Sequence, residues 1–184
     1  MIRHAVPADS PAAVPLIILA MDQIALSFAN VDKPEEAVPF FKSFFETEGN
    51  QYGYQNTLVF EEDAEIVGLI LGYDGGKLHE LRQPVLKEIR KSQPDYTLSN
   101  ETEAGEFYID CLAVSQEHHG KGIAKKLIRA LCDHAASLGY KKVGLIVDQV
   151  NPKARKLYED VGFQVFGEKD FVGHRYDHMV REVL

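Results

Sequence analysis

The chain has 184 residues, 45% of them hydrophobic, and carries a formal net charge of −8. This length suits one well-packed domain better than two. The acidic charge argues against a nucleic-acid partner, because affinity for the phosphate backbone comes mainly from clustered lysine and arginine.

The cellular compartment is inferred from three features: the length of the apolar stretches, the N-terminal residues and the number of cysteines. The longest apolar stretch, 12–20, contains Pro15 and is shorter than the roughly 20 residues that span a bilayer. Pro7 and Asp9 stand where a secretory signal would need an apolar run. Two cysteines are too few for a disulfide framework. We therefore expect one cytoplasmic domain, 1–184, with no membrane partner.

The first part of the chain predicts a strand, two helices and a hairpin. Residues 2–5 favour a short strand, followed by a helix that reaches about Phe28. A second helix is expected after Asp32, where the phenylalanines of 38–45 have helical spacing and form either core or the wall of an acceptor pocket. Two β-prone segments, 57–61 and 65–73, then favour an antiparallel hairpin.

Residues 74–105 are predicted to be an insertion. Gly75 and Gly76 begin a polar stretch in which apolar residues at 81–89 indicate a short helix, and Pro94 ends it. The insertion is either a solvated surface excursion or a lid over an acceptor site.

The second part of the chain alternates strands and helices. Residues 107–114 form the most continuous strand-like run, and a glycine-containing turn leads from it into an amphipathic helix that stops at Gly139. After a strand at 143–148, Asn151 and Pro152 are a strong helix start. Closing strands are expected at 163–171 and 177–183, which completes a mixed α/β order.

The glycine turn has the features of a phosphate site. Gly120 and Gly122 let oxygen atoms approach the backbone amides that head the following helix, and lysines at 121, 125 and 126 add positive charge. A P-loop would need Ser or Thr after its Gly-Lys pair, where this chain has Gly122, and the dinucleotide fingerprint would need a third glycine where it has Lys125. Both of these motifs fit poorly.

The run His119-Gly120-Lys121-Gly122-Ile123-Ala124 resembles the pyrophosphate loop of the GNAT superfamily of N-acetyltransferases. The strand 109–114 before it, and the segment 151–163 with Asn151, Tyr158, Gly162 and Phe163 after it, resemble other elements of that family in the same order. The family usually has Arg or Gln where this chain has His119. The resemblance is strong over 107–166 and absent over 74–105.

The resemblance implies an α/β (α+β) fold whose mixed, mostly antiparallel central sheet is splayed at the cofactor site and flanked by helices. It implies acetyl-CoA as the acyl donor and no metal. The backbone of 112–114 would pair with the pantetheine arm, the amides of 120–124 would hold the pyrophosphate, and Asn151 would bind the pantetheine unless it is only a helix cap. The expected cofactor-binding residues are Leu112, Ala113, Val114, His119, Gly120, Lys121, Gly122, Ile123, Ala124, Lys125 and Asn151.

Two catalytic residues are expected. By the resemblance, Tyr158 protonates the departing thiolate of CoA. Asp110 is the nearest carboxylate for a general base, with Tyr108 on the same face of the strand and Glu106 at its entrance. A water chain is the alternative base.

The expected activity is transfer of an acetyl group to a primary amine of a small molecule, protein or peptide. Residues 38–45 and 74–105 would set specificity, and their acidic character favours a cationic amine. One alternative is a regulatory module that binds acyl-CoA without catalysis, and another is an ATP-binding protein that uses the glycine turn. A homodimer is compatible with the sequence.

Overall fold

The computed structural model describes residues 1–183. Within them the strands are β1 (Ile2–His4), β2 (Thr57–Glu62), β3 (Glu65–Asp74), β4 (Phe107–Val114), β5 (Lys142–Asp148), β6 (Gln164–Phe171) and β7 (His174–Glu182). The α-helices are α1 (Ser10–Met21), α2 (Gln23–Ala29), α3 (Pro34–Phe45), α4 (Leu78–Ser92), α5 (Ile123–Ser137) and α6 (Pro152–Asp160).

All seven strands form one sheet in the order β1-β2-β3-β4-β5-β7-β6. Neighbouring strands are antiparallel except β4 and β5, which run parallel and pair only at Phe107 with Val143 and at Tyr108 with Gly144. Beyond Tyr108 the two strands separate. The predicted fold class, a mostly antiparallel sheet that is splayed and flanked by helices, is confirmed.

A β-bulge lies where the two strands separate. Gly72 pairs with Ile109 and Leu71 pairs with Cys111, so Asp110 has no partner opposite it on β3. A bulge bends its strand and re-aims a side chain. Tyr108 and Cys111 therefore pack on one face of the sheet, while Ile109 packs on the other.

Each face of the sheet has its own core. Helices α1 to α4 cover one face, where Ile17, Phe41 and Leu69 have no exposed surface. Helix α5 covers the other face through Leu127 and Ile128, which are also fully buried. Each such side chain stabilises the fold by roughly 1.5–3 kcal/mol relative to an exposed one.

The single helix predicted up to Phe28 is wrong, because the chain turns at Asp22. The segments Pro7–Met21 and Gln23–Ala29 meet at an angle of 110°. Asp22 has φ 47 and ψ −123; its N–H ends α1 on the carbonyl of Ile18, and its own carbonyl accepts the N–H of Ala25. No proline or glycine marks this break in the sequence.

The phenylalanines of α3 belong to the core. Phe41 and Phe45 are fully buried, and Phe44 is 9% exposed. Of the two interpretations of 38–45, the core is correct for these side chains, and the acceptor-pocket wall is wrong.

The insertion is not a solvated excursion. Helix α4 has 15 residues, more than the short helix predicted, and its apolar face packs into the core beside α1 through Val85 and Ile89. The following segment crosses α2, where Tyr96 contacts the ring of Phe28 and forms a 3.1 Å hydrogen bond with Ser27. The insertion therefore adds a packed layer next to the place where β4 and β5 separate.

The last hairpin is longer than expected. Strand β7 begins at His174 instead of Asp177, because Val172 and Gly173 alone form the turn, with φ 47 and 75. Two-residue turns with positive φ match the twist of paired strands.

Among residues 1–183, no single helix is both long and apolar enough to cross a membrane. Taken together, the bent pair of segments Pro7–Met21 and Gln23–Ala29 is long and apolar enough, judged by length and composition alone.

Candidate active site

A cleft of about 620 Å³ opens where β4 and β5 separate. Its walls come from the α1–α2 break, from α2, from the inner ends of β4 and β5, from α6 and from the β6–β7 turn. Polar side chains that line it are Asp22, Gln23, Ser27, Tyr52, Glu101, Tyr108, Asp110, Asp148, Asn151, Tyr158, His174 and Tyr176.

The edge of β4 that faces β5 is available to a ligand. Leu112 lines the cleft, while Ala113 and Val114 pair with Leu69 and Gly68 on the β3 side. Within residues 1–183, β5 pairs with none of the three. An extended pantetheine arm needs such a free strand edge, because it pairs like an added strand.

The glycine turn forms an open cradle at the N-terminus of α5. Gly120 and Gly122 have φ 79 and 74, and no atom lies within 4 Å of where a Cβ would stand on either residue. Gly122 is the N-cap of the helix. The first amides of a helix have no partner within it, and Ile123 and Ala124 belong to that first turn. These N–H groups and the helix dipole suit a phosphate.

His119 braces the turn. Its Nε2 lies 2.9 Å from the carbonyl oxygen of Val114, which ties the turn to the end of β4. The side chain is thus engaged with protein backbone, and a contact with CoA stays a prediction.

Two of the three lysines around the cradle are held by carboxylates, and the third, Lys126, lies over the ring of Phe60. Lys121 contacts Glu62 at 2.9 Å, and Lys125 contacts Asp160 at 3.0 Å. Exposed pairs of this kind contribute only about 0–1 kcal/mol. A phosphate group is therefore able to replace either carboxylate.

Asn151 is a helix cap. Its Oδ1 accepts the N–H of Ala154 at 3.0 Å, and Pro152 occupies the first helical position, as the sequence predicts. The residue also lines the cleft. The cap is thus confirmed; because it uses only the oxygen, the amide N–H₂ group is left for a ligand, and binding of the pantetheine stays a prediction.

Tyr158 projects from α6 into the cleft. Burial raises the pKa of its phenol to about 12, and the nearby Cys111 thiol adds a smaller contribution. Its ring packs edge-on against Phe163, with the centroids 5.9 Å apart. At neutral pH the phenol therefore keeps its proton, as a general acid must.

Asp110, the bulged residue, is held by three donors, of which the Cys111 thiol contacts Oδ1 at 3.7 Å. Its Oδ2 accepts a 2.5 Å hydrogen bond from the hydroxyl of Tyr73 and a 3.3 Å bond from Nε2 of Gln51. Burial raises the pKa of the carboxyl above its usual range, and the Tyr73 hydrogen bond opposes that shift. A carboxylate that gains affinity for a proton in this way suits a general base.

Glu106 does not belong to the cleft. It is 6% exposed, and its Oε2 lies 2.9 Å from Nε2 of His178 beside Gly144. A Cβ on residue 144 would stand 2.1 Å from that oxygen, so any larger residue there would displace the Glu106 carboxylate from His178. Glu106 stands directly before β4, at the entrance of the strand as expected, but it does not line the cleft, whereas Tyr108 does.

Sequence reasoning missed a buried polar group at the inner end of the cleft. Glu101 from the insertion is 4% exposed and pairs with Arg82 of α4, itself 4% exposed. Tyr52 lines the same region, and Tyr73 lies behind Asp110. One signal was present: Arg82 stands among the apolar residues of the buried face of α4.

The residues that line the cleft differ in part from those expected to set specificity. None of the lining residues comes from α3; they come from the α1–α2 break, from α2 and, through Glu101, from the insertion. At the rim, Asp148 accepts a 2.8 Å hydrogen bond from His174 when Nδ1 of the histidine carries the proton.

Comparison with known proteins gives consistent results. The family model described as "Acetyltransferase (GNAT) family" matches residues 19–163. The spermine/spermidine N(1)-acetyltransferase of Bacillus subtilis (strain 168) is 35% identical over 91 residues, which are 49% of this chain and 57% of the relative. The chain therefore spans little more than half the length of that curated relative.

Two solved structures match over nearly the full length. A crystal structure described as an acetyltransferase is 31% identical, covers 100% of both chains and has a TM-score of 0.81. That of an N-acetyltransferase from Staphylococcus aureus Mu50 is 27% identical, covers 98% of this chain and 99% of the other, and has a TM-score of 0.84.

Proposed function

The chain belongs to the acetyltransferase (GNAT) family, and we propose that it moves the acetyl group of acetyl-CoA to a primary amine. The observation that carries the proposal is that Asp110 and Tyr158 line the same cleft. This cleft lies along the free edge of β4, the strand that leads into the glycine cradle. The family uses acetyl-CoA as its donor. The open cradle at Gly120 and Gly122 and the free edge of β4 fit the pyrophosphate and the pantetheine of that substrate.

Two side chains supply the proton transfers in this proposal. Asp110 takes a proton from the ammonium form of the acceptor, directly or through a water, and the neutral amine nitrogen then forms a bond to the thioester carbon. The backbone N–H near Leu112 donates to the thioester oxygen as negative charge develops. As the carbon–sulfur bond breaks, Tyr158 gives its proton to the leaving thiolate, and a second proton of the attached nitrogen passes to the resulting phenolate. The products are the neutral CoA thiol, the N-acetyl amide and one proton, which Asp110 releases to solvent.

We propose a polyamine or another cationic alkylamine as the acceptor. Four carboxylates line the cleft, at Asp22, Glu101, Asp110 and Asp148. An acidic cleft attracts cations and raises their local concentration. The spermine/spermidine acetyltransferase of Bacillus subtilis supports the same class, because its matched segment resembles this chain. A protein or peptide amine is the alternative acceptor.

We also propose that 1–184 act as one acyltransferase domain in which the insertion 74–105 supplies part of the acceptor side. The single sheet and the burial of α4 in the same core support this view.

The test uses the purified chain. Calorimetry measures acetyl-CoA binding, and release of free thiol is then followed with spermidine, spermine, putrescine, an aminoglycoside and a lysine peptide. We expect binding, amine-dependent thiol release and the highest kcat/KM for a polyamine. Binding with no release from any amine would favour a regulatory module, and absence of binding would overturn the proposal.

A further inference from the structure

Glu101 occupies a built position in the wall of the cleft. Arg82 contacts its Oε2 and also donates a 3.0 Å hydrogen bond to the carbonyl of Ser99. The guanidinium thus fixes both the side chain of Glu101 and the backbone two residues before it. Both members of the pair are only 4% exposed, although Glu101 lines the cleft.

Charges at this inner end are few. The groups whose fields act on the buried phenol of Tyr52 include Asp110 and Glu101 of one sign and Arg82 of the other. One guanidinium compensates only one of the two carboxylates. Charges in a poorly solvated place are stable only when they are paired. One added cation next to Asp110 and Glu101 would bring the summed charge of Asp110, Glu101 and Arg82 to zero.

A neighbouring side chain fixes the same end of the cleft from the protein side. Gln51 is 1% exposed and does not line the cleft, and its Nε2 donates to Asp110 and to the hydroxyl of Tyr73. Asp110 is thus held in place by groups behind it, and its charge has no cationic partner among the side chains that hydrogen-bond it.

We propose that Glu101, fixed by Arg82, is a specificity-determining residue that contacts the acceptor amine and makes the cleft select amines that arrive as ammonium ions. This inference rests on the proposed function and deepens it, because it assigns charge selection to the insertion. Glu101 stays paired with Arg82 while Asp110 takes the proton, so the two carboxylates have different tasks.

The test separates charge from shape. Benzylamine is a cation at neutral pH, and benzyl alcohol has the same shape without the charge. Their inhibition constants are measured in competition with the best amine substrate, for the wild type and for Glu101→Gln. We expect the wild type to bind benzylamine at least about tenfold more tightly than benzyl alcohol, as one charged contact provides. In Glu101→Gln that ratio falls toward one and the KM of the best amine rises about tenfold, while kcat changes less.

A double variant distinguishes contact from net charge and guards against misfolding. Arg82→Met with Glu101→Leu removes both buried charges, so no unpaired guanidinium is left, and the sum of charges around Asp110 is the same as in the wild type. We expect this variant to fold. If Glu101 contacts the amine, the variant also loses the preference for benzylamine over benzyl alcohol. A double variant that regains the preference lost in Glu101→Gln would show that Glu101 only neutralises Arg82, and would overturn the proposal.

Three other results also contradict it. They are a wild-type ratio near one, an unchanged ratio in Glu101→Gln, and an unchanged KM for the best amine in that variant. Failure of the proposed function itself is recognised separately, because the wild type would then release no thiol with any amine; that result overturns both.

Discussion

The hydroxyl of Tyr73 on β3 donates a 2.5 Å hydrogen bond to Oδ2 of Asp110, the bulged residue of β4. Burial raises the pKa of the Tyr73 phenol well above its ordinary value, so the group stays a donor. This donor favours the ionised form of Asp110 and opposes the burial that raises the carboxyl pKa. The pair therefore tunes the proposed base.

We predict that Tyr73→Phe moves the acid limb of the pH profile of kcat/KM to higher pH. A hydrogen bond to a charged group contributes about 1.5–3 kcal/mol, which corresponds to a shift of roughly one to two pH units. Tyr52→Phe is the matched control, because Tyr52 is a buried phenol of the same cleft without a hydrogen bond to Asp110. Equal profiles for Tyr73→Phe and the control would contradict the tuning role.

The raised pKa of Asp110 also predicts a trade between activity and stability. A carboxyl whose folded pKa lies above its unfolded value contributes its stability fully below the unfolded pKa and loses it as pH rises through the folded pKa. Asp110→Asn does not ionise. Its thermal midpoint relative to the wild type should therefore rise between about pH 4, where an ordinary Asp titrates, and about pH 8, while turnover falls strongly. Melting curves at both pH values check this, and a constant difference would argue against a raised pKa.

Tyr158→Phe tests the general acid. Loss of a positioned acid lowers turnover by about 10²- to 10⁴-fold. Binding of CoA should change less than about threefold, because the ring that packs on Phe163 is kept. Since the pKa of Tyr158 is raised to about 12, the wild type should show no basic limb from this group below about pH 11. Unchanged turnover in Tyr158→Phe would remove the residue from the mechanism.

The sequence predicts β4 and α5 well because each has a strong local signal. The pattern that predicts each element lies within the element itself: an apolar run in Phe107–Val114 and a helical period in Ile123–Ser137. The Asn151 cap is also local, because its partner is three residues away. Gly120 and Gly122 likewise indicated a turn that is open to a ligand, and in the structure both have positive φ and open space where a Cβ would stand. These elements carry most of the expected donor side.

The acceptor side depends on contacts between distant parts of the chain. The bend at Asp22 lies in an apolar run of helical period with no local breaker, so periodicity alone continues the helix. Glu101 reaches the cleft only because Arg82, 19 positions earlier, is buried in α4. Tyr73 meets Asp110 through the β3–β4 register and its bulge, and Gln51 reaches both from the segment between α3 and β2. No window of sequence contains these relationships.

Helix α5 offers a matched pair of glycines that tests the cradle. Gly122 precedes the helix and Gly139 follows it; they have φ 74 and 88, and neither would bring a Cβ within 4 Å of another atom. Alanine at either position should therefore cost a similar roughly 1–2 kcal/mol of backbone strain. Only Gly122→Ala puts a methyl group, and strain at the N-cap, into the open turn that is proposed to hold the pyrophosphate, so it should weaken CoA binding about tenfold. Calorimetry should find Gly139→Ala close to the wild type, and similar losses in both variants would point to general destabilisation.

Asp160 provides a second matched pair, because it binds Lys125 of α5 at 3.0 Å and Lys156 of α6 at 3.2 Å. Both lysines are exposed enough that loss of either ion pair should cost at most about 1 kcal/mol of stability. Lys125 alone stands in the first turn of α5 beside the cradle. We predict that Lys125→Gln weakens CoA binding about three- to tenfold and makes it less sensitive to salt, since one positive charge near the phosphates is lost. Lys156→Gln should change affinity less than about twofold. Titrations at low and high salt decide the matter: equal effects of the two substitutions would mean that Lys125 keeps its partner Asp160 when CoA binds.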